Sequence, residues 1–340
     1  MKQGLPQGSV LSPLLFILFI NNLAEILPPD ARAALFADDV TLLGTARNKE
    51  EAERKAQELV DIVVDWSKKW KLNLNAEKCE ASFFSTSTKE AKWSPTIKID
   101  GQVIKHEPTP RLLGVTLDRT LCFGPHVKSI VKSSTSKLKI LAKLSYSDWG
   151  CDKSDLFRIY QAVVRSRMDY AGPAWQPWLS ETQMGKLEIV QNKALRLVTG
   201  QTKSTRVEAL RCEAATTSYD TVSRRNTLKS SEKAARLPQD HPRHQLLNNQ
   251  APPRNKRTSW RSECLTLSKS LPDGAQDRLQ APLPVRPPWT PTGSYEIHPT
   301  LPGVSRKEAI PTEKLRRIAM ESLRDHHADI LIYMDGLASA

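Results

Sequence analysis

The apolar residues of this chain change their spacing several times, and each change predicts a different kind of structure. Val10 to Ile20 is almost continuously apolar, broken only by Ser12 and Pro13. It predicts a buried helix from about Ser12 to Leu23, too short to span a bilayer. Ala33-Ala34-Leu35 and Val40-Thr41-Leu42-Leu43 flank Phe36-Ala37-Asp38-Asp39 and predict an apolar β-hairpin with two carboxylates at its tip. From Lys49 to Trp70 the stripe Ala52, Ala56, Leu59, Val63 and Trp66 follows helical spacing and reads as a core face. Phe83-Phe84 and Ile97-Lys98-Ile99-Asp100-Gly101 are short strand signals with a turn. Residues 1–118 therefore predict an α+β arrangement, a sheet covered by helices on one face.

Beyond residue 118 the pattern turns helical, and 119–237 reads as a second region. From His126 to Leu144, the positions Val127, Ile130 or Val131, Ser134, Leu138, Leu141 and Leu144 recur at helical spacing. Lys128, Lys132, Lys137, Lys139 and Lys143 carry the polar side, with no acidic residue among them. Such lysines repel one another, so the helix is a candidate phosphate-tracking surface, the alternative being a solvated face. Gly150 and Gly200 fit helix ends. Residues 238–310 crowd prolines, among them Pro252-Pro253 and Pro287-Pro288, beside Arg254, Lys256, Arg257 and Arg261. That composition predicts a basic linker with a short helix near Trp260 to Leu271. In 311–340 a helix is expected, then the apolar strand Ile330-Leu331-Ile332-Tyr333-Met334 before Asp335-Gly336.

Charge sharpens this picture. The 340 residues carry a net charge of +13, which points to a polyanionic partner such as nucleic acid, the alternative on composition being a generic basic protein. Five scattered cysteines, Cys79, Cys122, Cys151, Cys212 and Cys264, form no C-x-x-C pair and no disulfide framework, and read as small core residues. No basic leader with a cleavage site precedes the first apolar run, so neither membrane nor secretory targeting is read.

The candidate chemistry centres on Asp38 and Asp39. Adjacent carboxylates disfavour joint ionisation, and a divalent cation such as Mg²⁺, which prefers hard oxygen ligands, removes that penalty. A solvated Asp-Asp turn is the alternative. Upstream, Gly4-Leu5-Pro6-Gln7-Gly8-Ser9 runs into the first helix, a loop that lets backbone approach a phosphate.

Taken in order, these blocks resemble the reverse transcriptases of non-LTR retrotransposons of the jockey, I and ingi type. Phe36-Ala37-Asp38-Asp39 resembles the family's Tyr-x-Asp-Asp turn. Leu72-Asn73-Leu74-Asn75-Ala76-Glu77-Lys78-Cys79 resembles its Leu-x-Asn-x-x-Lys-Thr block, with Cys79 where Thr is usual. Arg111-Leu112-Leu113-Gly114-Val115 resembles its Tyr-Leu-Gly-Val block, with Leu112 in place of Tyr. Leu156 to Val164, Met168 to Trp175 and Leu187 to Gly200 resemble the segment after the polymerase core, so the likeness covers roughly residues 1–220.

The resemblance implies a partial right-hand polymerase. A palm part (1–118), a helical thumb (119–237), a Pro-rich linker (238–310) and the first strand of a ribonuclease H-like domain (311–340) would follow one another. It implies Asp38 and Asp39 as ligands of two Mg²⁺ ions, and Pro6, Gln7 and Gly8 against nucleotide and template. Leu113-Gly114 would form the primer grip. Lys128, Lys132, Lys139 and Lys143 would lie on the nucleic-acid backbone. Lys78 is either a general acid to pyrophosphate or a surface lysine. Asp335 is either a ribonuclease H-like metal ligand or part of an ordinary turn. The implied partners are an RNA template, a DNA primer or RNA–DNA duplex, and deoxynucleotides, in an intracellular and nuclear setting. The family carries a further catalytic aspartate and fingers motifs upstream of the Gly-Leu-Pro-Gln-Gly block. An N-terminally truncated chain, inactive alone, is therefore the expectation. A non-catalytic nucleic-acid-binding remnant is one alternative, and a relic that does not fold stably is another.

Overall fold

A computed structural model describes residues 8–28, 31–146, 150–248 and 259–271, all within a compact unit running Met1–Ala281. Helix α1 spans Ser12–Ile26, with Pro13 in its first turn, where the fixed φ of proline suits a helix start. The hairpin follows as β1 (Arg32–Phe36) and β2 (Asp39–Leu43), antiparallel, with Leu35 opposite Val40 and Phe36 opposite Asp39. Helix α2 spans Lys49–Lys69. The Asn48 side chain accepts from the Glu51 amide at its start, while Glu50, Glu51, Lys68 and Lys69 complement the helix dipole at either end.

Helix α2 divides two small cores. Val63 and Trp66 join Leu23 of α1, flanked by Phe19, Ile20, Leu35, Val40 and Leu42. Phe19 also meets Trp70 edge-on, with ring centroids 5.2 Å apart. Val64 instead packs with Ala81, Ile97, Ile99 and Ile104. The expectation of a buried α1 is corrected here. Only Leu23 is fully buried, and Leu15, Ile17, Leu18 and Ile26 are exposed, so one face of the helix is covered.

Six short strands follow: β3 (Glu80–Ala81), β4 (Lys98–Ile99), β5 (Gln102–Val103), β6 (Lys105–His106), β7 (Arg111–Leu112) and β8 (Val115–Thr116). Among the described residues they and the first hairpin make four separate two-stranded ladders instead of the one sheet expected. Each strand after β2 is two residues long, and helix side chains complete some of the pairing: the Gln57 side chain of α2 accepts from Lys98 N–H and donates to Lys98 O, each at 2.8 Å. Phe83 lies outside the strands and packs edge-on against Trp93 at 4.9 Å.

The helical part starts with α3 (Gly124–Leu144). Next come α4 (Lys153–Ile159), a π-helical turn at Tyr160–Arg165, α5 (Ser166–Asp169) and α6 (Gly172–Trp175). Then follow α7 (Glu181–Thr199), α8 (Val207–Glu213) and α9 (Tyr219–Ala235). Their shared core holds Val127, Ile130, Leu138 and Leu141 of α3 against Leu187, Val190, Ala194 and Leu195 of α7, with Tyr160, Met168 and Trp175 between. Val115 of β8 belongs to this core, not to those around α2.

Gly200 caps α7 at φ +67, as a helix-ending glycine should. Gly150 does not end a helix: α3 stops at Leu144 with Ser145 as its cap. Two parts of the expected linker are helical, α10 (Pro242–Asn248) and α11 (Trp260–Lys269). Both pack on α9, where Leu247 and Cys264 meet Ala234. Residues 272–340, including Asp335 and the expected ribonuclease H-like strand, lie outside the described residues.

Candidate functional site

The Asp38–Asp39 tip is built by the local rules of a two-residue hairpin. Ala37 and Asp38 are the turn and Asp39 opens β2. Ala37 sits at φ +51, the left-handed value that glycine normally supplies at the first central position of such a turn. Both carboxylates are exposed, and so is Phe36 beside them. The hairpin is anchored from below by Leu35, Val40 and Leu42 in the core shared with α1 and α2.

Gly8 is described and exposed, at φ +90, while Pro6 and Gln7 lie outside the described residues. Leu11 at the N-cap of α1 makes no side-chain cap, and the first turn carries no acidic residue that would repel an anion there. Helix α1, which Gly8 precedes, and the hairpin that carries the aspartate tip share one core. Lys78 is exposed in a turn, where its amide donates to Asn75 O at 3.1 Å. Beside it, burial pushes the Cys79 thiol up.

The donor chemistry bears on the expected ions. Among the described residues no group of three or more His, Cys, Asp or Glu side chains could hold a metal. A two-ion phosphoryl-transfer centre needs carboxylates that bridge and clamp both ions. Asp38 and Asp39 supply part of such a set, and the described residues do not complete it.

The lysine helix resolves into two sides. At the 100° per residue of an α-helix, Lys128, Lys132, Lys139 and Lys143 fall within about 60° of arc. All four are exposed. Lys137 points to the other side and is half-buried. His126, Val127, Ile130, Ser134, Leu138 and Leu141 fill the buried face opposite the stripe. None of the four stripe lysines is ion-paired among the described residues.

Leu113-Gly114 is the two-residue turn of the β7–β8 hairpin, with Leu112 opposite Val115. Both turn residues are left-handed, Leu113 at φ +43 and Gly114 at φ +84, as a type I′ turn requires. Tyr170 O–H donates to Leu113 O at 3.0 Å, and Thr116 N–H donates to His126 Nδ1 at 3.2 Å. The spacing of residues does not single out these two partners, although each lies in a patterned segment. His126 begins the apolar periodicity of α3, and Tyr170 stands within Met168 to Trp175.

Residues 1–117 match the family model described as reverse transcriptase (RNA-dependent DNA polymerase). The chain is 28% identical over 207 residues to the RNA-directed DNA polymerase from mobile element jockey of Drosophila melanogaster, covering 58% of this chain and 22% of that protein. It is 29% identical over 213 residues to the probable RNA-directed DNA polymerase from transposon BS of the same organism, covering 58% and 22%. It is 28% identical over 177 residues to the retrovirus-related Pol polyprotein from type-1 retrotransposable element R1 2 of Nasonia vitripennis, covering 51% and 43%. The first part of the chain is thus homologous to retrotransposon RNA-directed DNA polymerases. The likeness to these relatives is longer than the family-model match, so it runs on into the helical part. The chain spans about a fifth of the length of the first of these relatives. Among the described residues no helix is long and apolar enough to cross a membrane.

Proposed function

We propose that this chain is a portion of a non-LTR retrotransposon reverse transcriptase, holding the aspartate tip of the palm and a basic helical thumb. As a 340-residue polypeptide it holds primed template without extending it. The observation that carries this reading is the exposed Asp38–Asp39 turn on the same core as α1 and α2, within the stretch that matches the reverse transcriptase model. In the complete enzyme, Mg²⁺ would supply the charge that steadies the transferring phosphoryl group, with Asp38 and Asp39 among its ligands. Gly8 meets nucleotide and template, a role that Pro6 and Gln7 would share, and the N-terminus of α1, with no acidic residue in its first turn, favours the phosphates. Leu113-Gly114 brings backbone to the primer end. The α3 lysine stripe follows the phosphates of an RNA–DNA duplex. Lys78, exposed and unburdened by packing, is free to meet the departing pyrophosphate.

Primer extension on an RNA template tests the reading. The 340-residue chain should extend nothing with Mg²⁺ or Mn²⁺, because positioning and charge stabilisation carry nearly all of this chemistry. Joined to a segment that supplies a third carboxylate and fingers, it should extend, and Asp38→Asn should abolish that activity. Clear, Asp38-dependent extension by the chain alone would mean that another of its carboxylates completes the site, and the reading would fall. A second reading, a binding module without chemistry, is favoured by the stripe on α3. It would stand if the joined protein bound primed template but stayed inactive.

A further inference from the structure

The block Met168-Asp169-Tyr170-Ala171-Gly172-Pro173-Ala174-Trp175 takes no part in the chemistry of the aspartate tip. We propose that it is a clamp on the β7–β8 turn, with Tyr170 as the positioning residue that holds Leu113 and Gly114 in their left-handed conformations. This deepens, and rests on, the primer-end role given to that turn.

Leu113 is the reason a clamp is needed. A branched side chain at φ +43 is an outlier that persists only where its surroundings over-determine it. Tyr170 supplies two constraints at once. Its hydroxyl donates to Leu113 O at 3.0 Å. Its ring lies so close under Gly114 that an added Cβ would meet Tyr170 Cε1 at 3.1 Å. Trp175, fully buried, donates from Nε1 to Tyr170 O at 3.0 Å and so fixes the backbone that carries the tyrosine. The Trp175 ring meets His126 edge-on at 4.8 Å, and His126 Nδ1 accepts from Thr116 N–H at the base of the same hairpin. The contacts close a circuit from the tip of the hairpin through Tyr170, Trp175 and His126 back to its base.

The rest of the block serves that circuit. Ala171 at φ +51 breaks the helix between α5 and α6, which turns Tyr170 outward to half-exposure. Gly172 leaves no room for a Cβ, which would stand 2.7 Å from Gln176 Oε1. Buried Gln176 donates to Met168 O at 3.2 Å and to Tyr219 Oη at 2.8 Å, tying the block to α9. A hairpin held this way moves with the lysine-bearing bundle. A primer end resting on the exposed Leu112 and Leu113 is then positioned by the same body that holds the duplex.

The test is Tyr170→Phe in the 340-residue chain, which keeps the ring and removes the hydroxyl. Hydrogen exchange of the 112–116 amides should rise about fivefold, the effect of one net hydrogen bond, while α3 and α7 stay as in wild type. His126→Asn, which keeps an acceptor near Nδ1, should leave exchange at Thr116 close to wild type, and His126→Leu should raise it. Unchanged exchange in Tyr170→Phe, or an equal rise through α3 and α7, would overturn the clamp. A primed RNA template carrying a photoreactive group on the primer 3′ nucleotide separates the two ideas. Crosslinking to 111–116 that drops in Tyr170→Phe supports both. Absence of that crosslink in wild type removes the primer role, and the clamp is then decided by exchange.

Discussion

At position 126 a histidine occupies the buried face of α3 and does what an apolar side chain could not. Its ring packs on Trp175, and Nδ1 receives the Thr116 amide, which fixes the tautomer with the proton on Nε2. Burial holds its pKa below the ordinary 6.5, with the charges of Arg167 and Arg111 adding in the same direction. Because the folded value is the lower one, the unfolded chain takes up the proton first as pH falls. The stabilisation is complete above about pH 6.5 and is lost as pH falls through the folded value. Urea unfolding at several pH values should show wild type losing stability towards acid relative to His126→Asn. One such group accounts for a slope of at most about 1.4 kcal/mol per pH unit. Parallel pH profiles would mean that His126 does not titrate with folding. Asp38 poses the opposite case. It is exposed at a hairpin tip, so Asp38→Asn should shift thermal stability by no more than about 0.5 kcal/mol, and any loss of function from it belongs to chemistry.

Among the elements, α3 carries a folding face and, opposite it, the proposed duplex-binding face. Leu141 is 1% exposed in the main core, and Leu141→Ala should cost about 2–5 kcal/mol in denaturant unfolding. The lysine stripe should instead govern affinity. Every phosphate that the stripe no longer neutralises should lower the salt slope of duplex binding by about 0.9. Lys132→Ala and Lys139→Ala together should therefore flatten the slope, and half-buried Lys137→Ala, off the stripe, should not. Equal slopes for wild type and both variants would sink the phosphate-tracking role. The β7–β8 hairpin is an element of another sort. Its two-residue strands cannot hold a left-handed leucine alone, and it draws its conformation from Tyr170 and His126.

At the scale of the molecule, burial is unevenly shared. The helical part has one large core with Tyr160, Met168, Trp175, Leu187, Leu195 and Tyr219 fully buried. The part around α1 and α2 has two small cores, and much of α1 is bare. Opening free energies follow buried apolar packing, so amide protection should be greatest in α3 and α7 and least in α1 and the first hairpin. Hydrogen exchange across the chain would show this, and equal protection of α1 and α7 would contradict it. On that expectation the Asp38–Asp39 tip should stand on the more labile part, and the proposed duplex surface on the more rigid one.

Much of this was legible in the residues themselves. The helices at Ser12, Lys49, Gly124 and Trp260, the Asp-Asp hairpin and the Gly200 cap each follow from periodicity, capping or turn chemistry within a few positions. The order of motifs also pointed to reverse transcriptases, as the match over residues 1–117 bears out. Packing decided the rest. Only the tertiary structure set Tyr170 on Leu113, 57 positions away, and gave Val115 to the helical core. Packing against α9 also turned a part of the proline-rich stretch that no periodicity marked into α10, and it gave Leu247 and Cys264 an apolar partner in Ala234. It left the short strands in separate ladders, since two-residue strands carry no pattern that specifies a distant partner. Local structure is written in spacing because its interactions reach only a few residues along the chain. Which distant surfaces meet depends on shape and burial, and those exist only once the helices have packed.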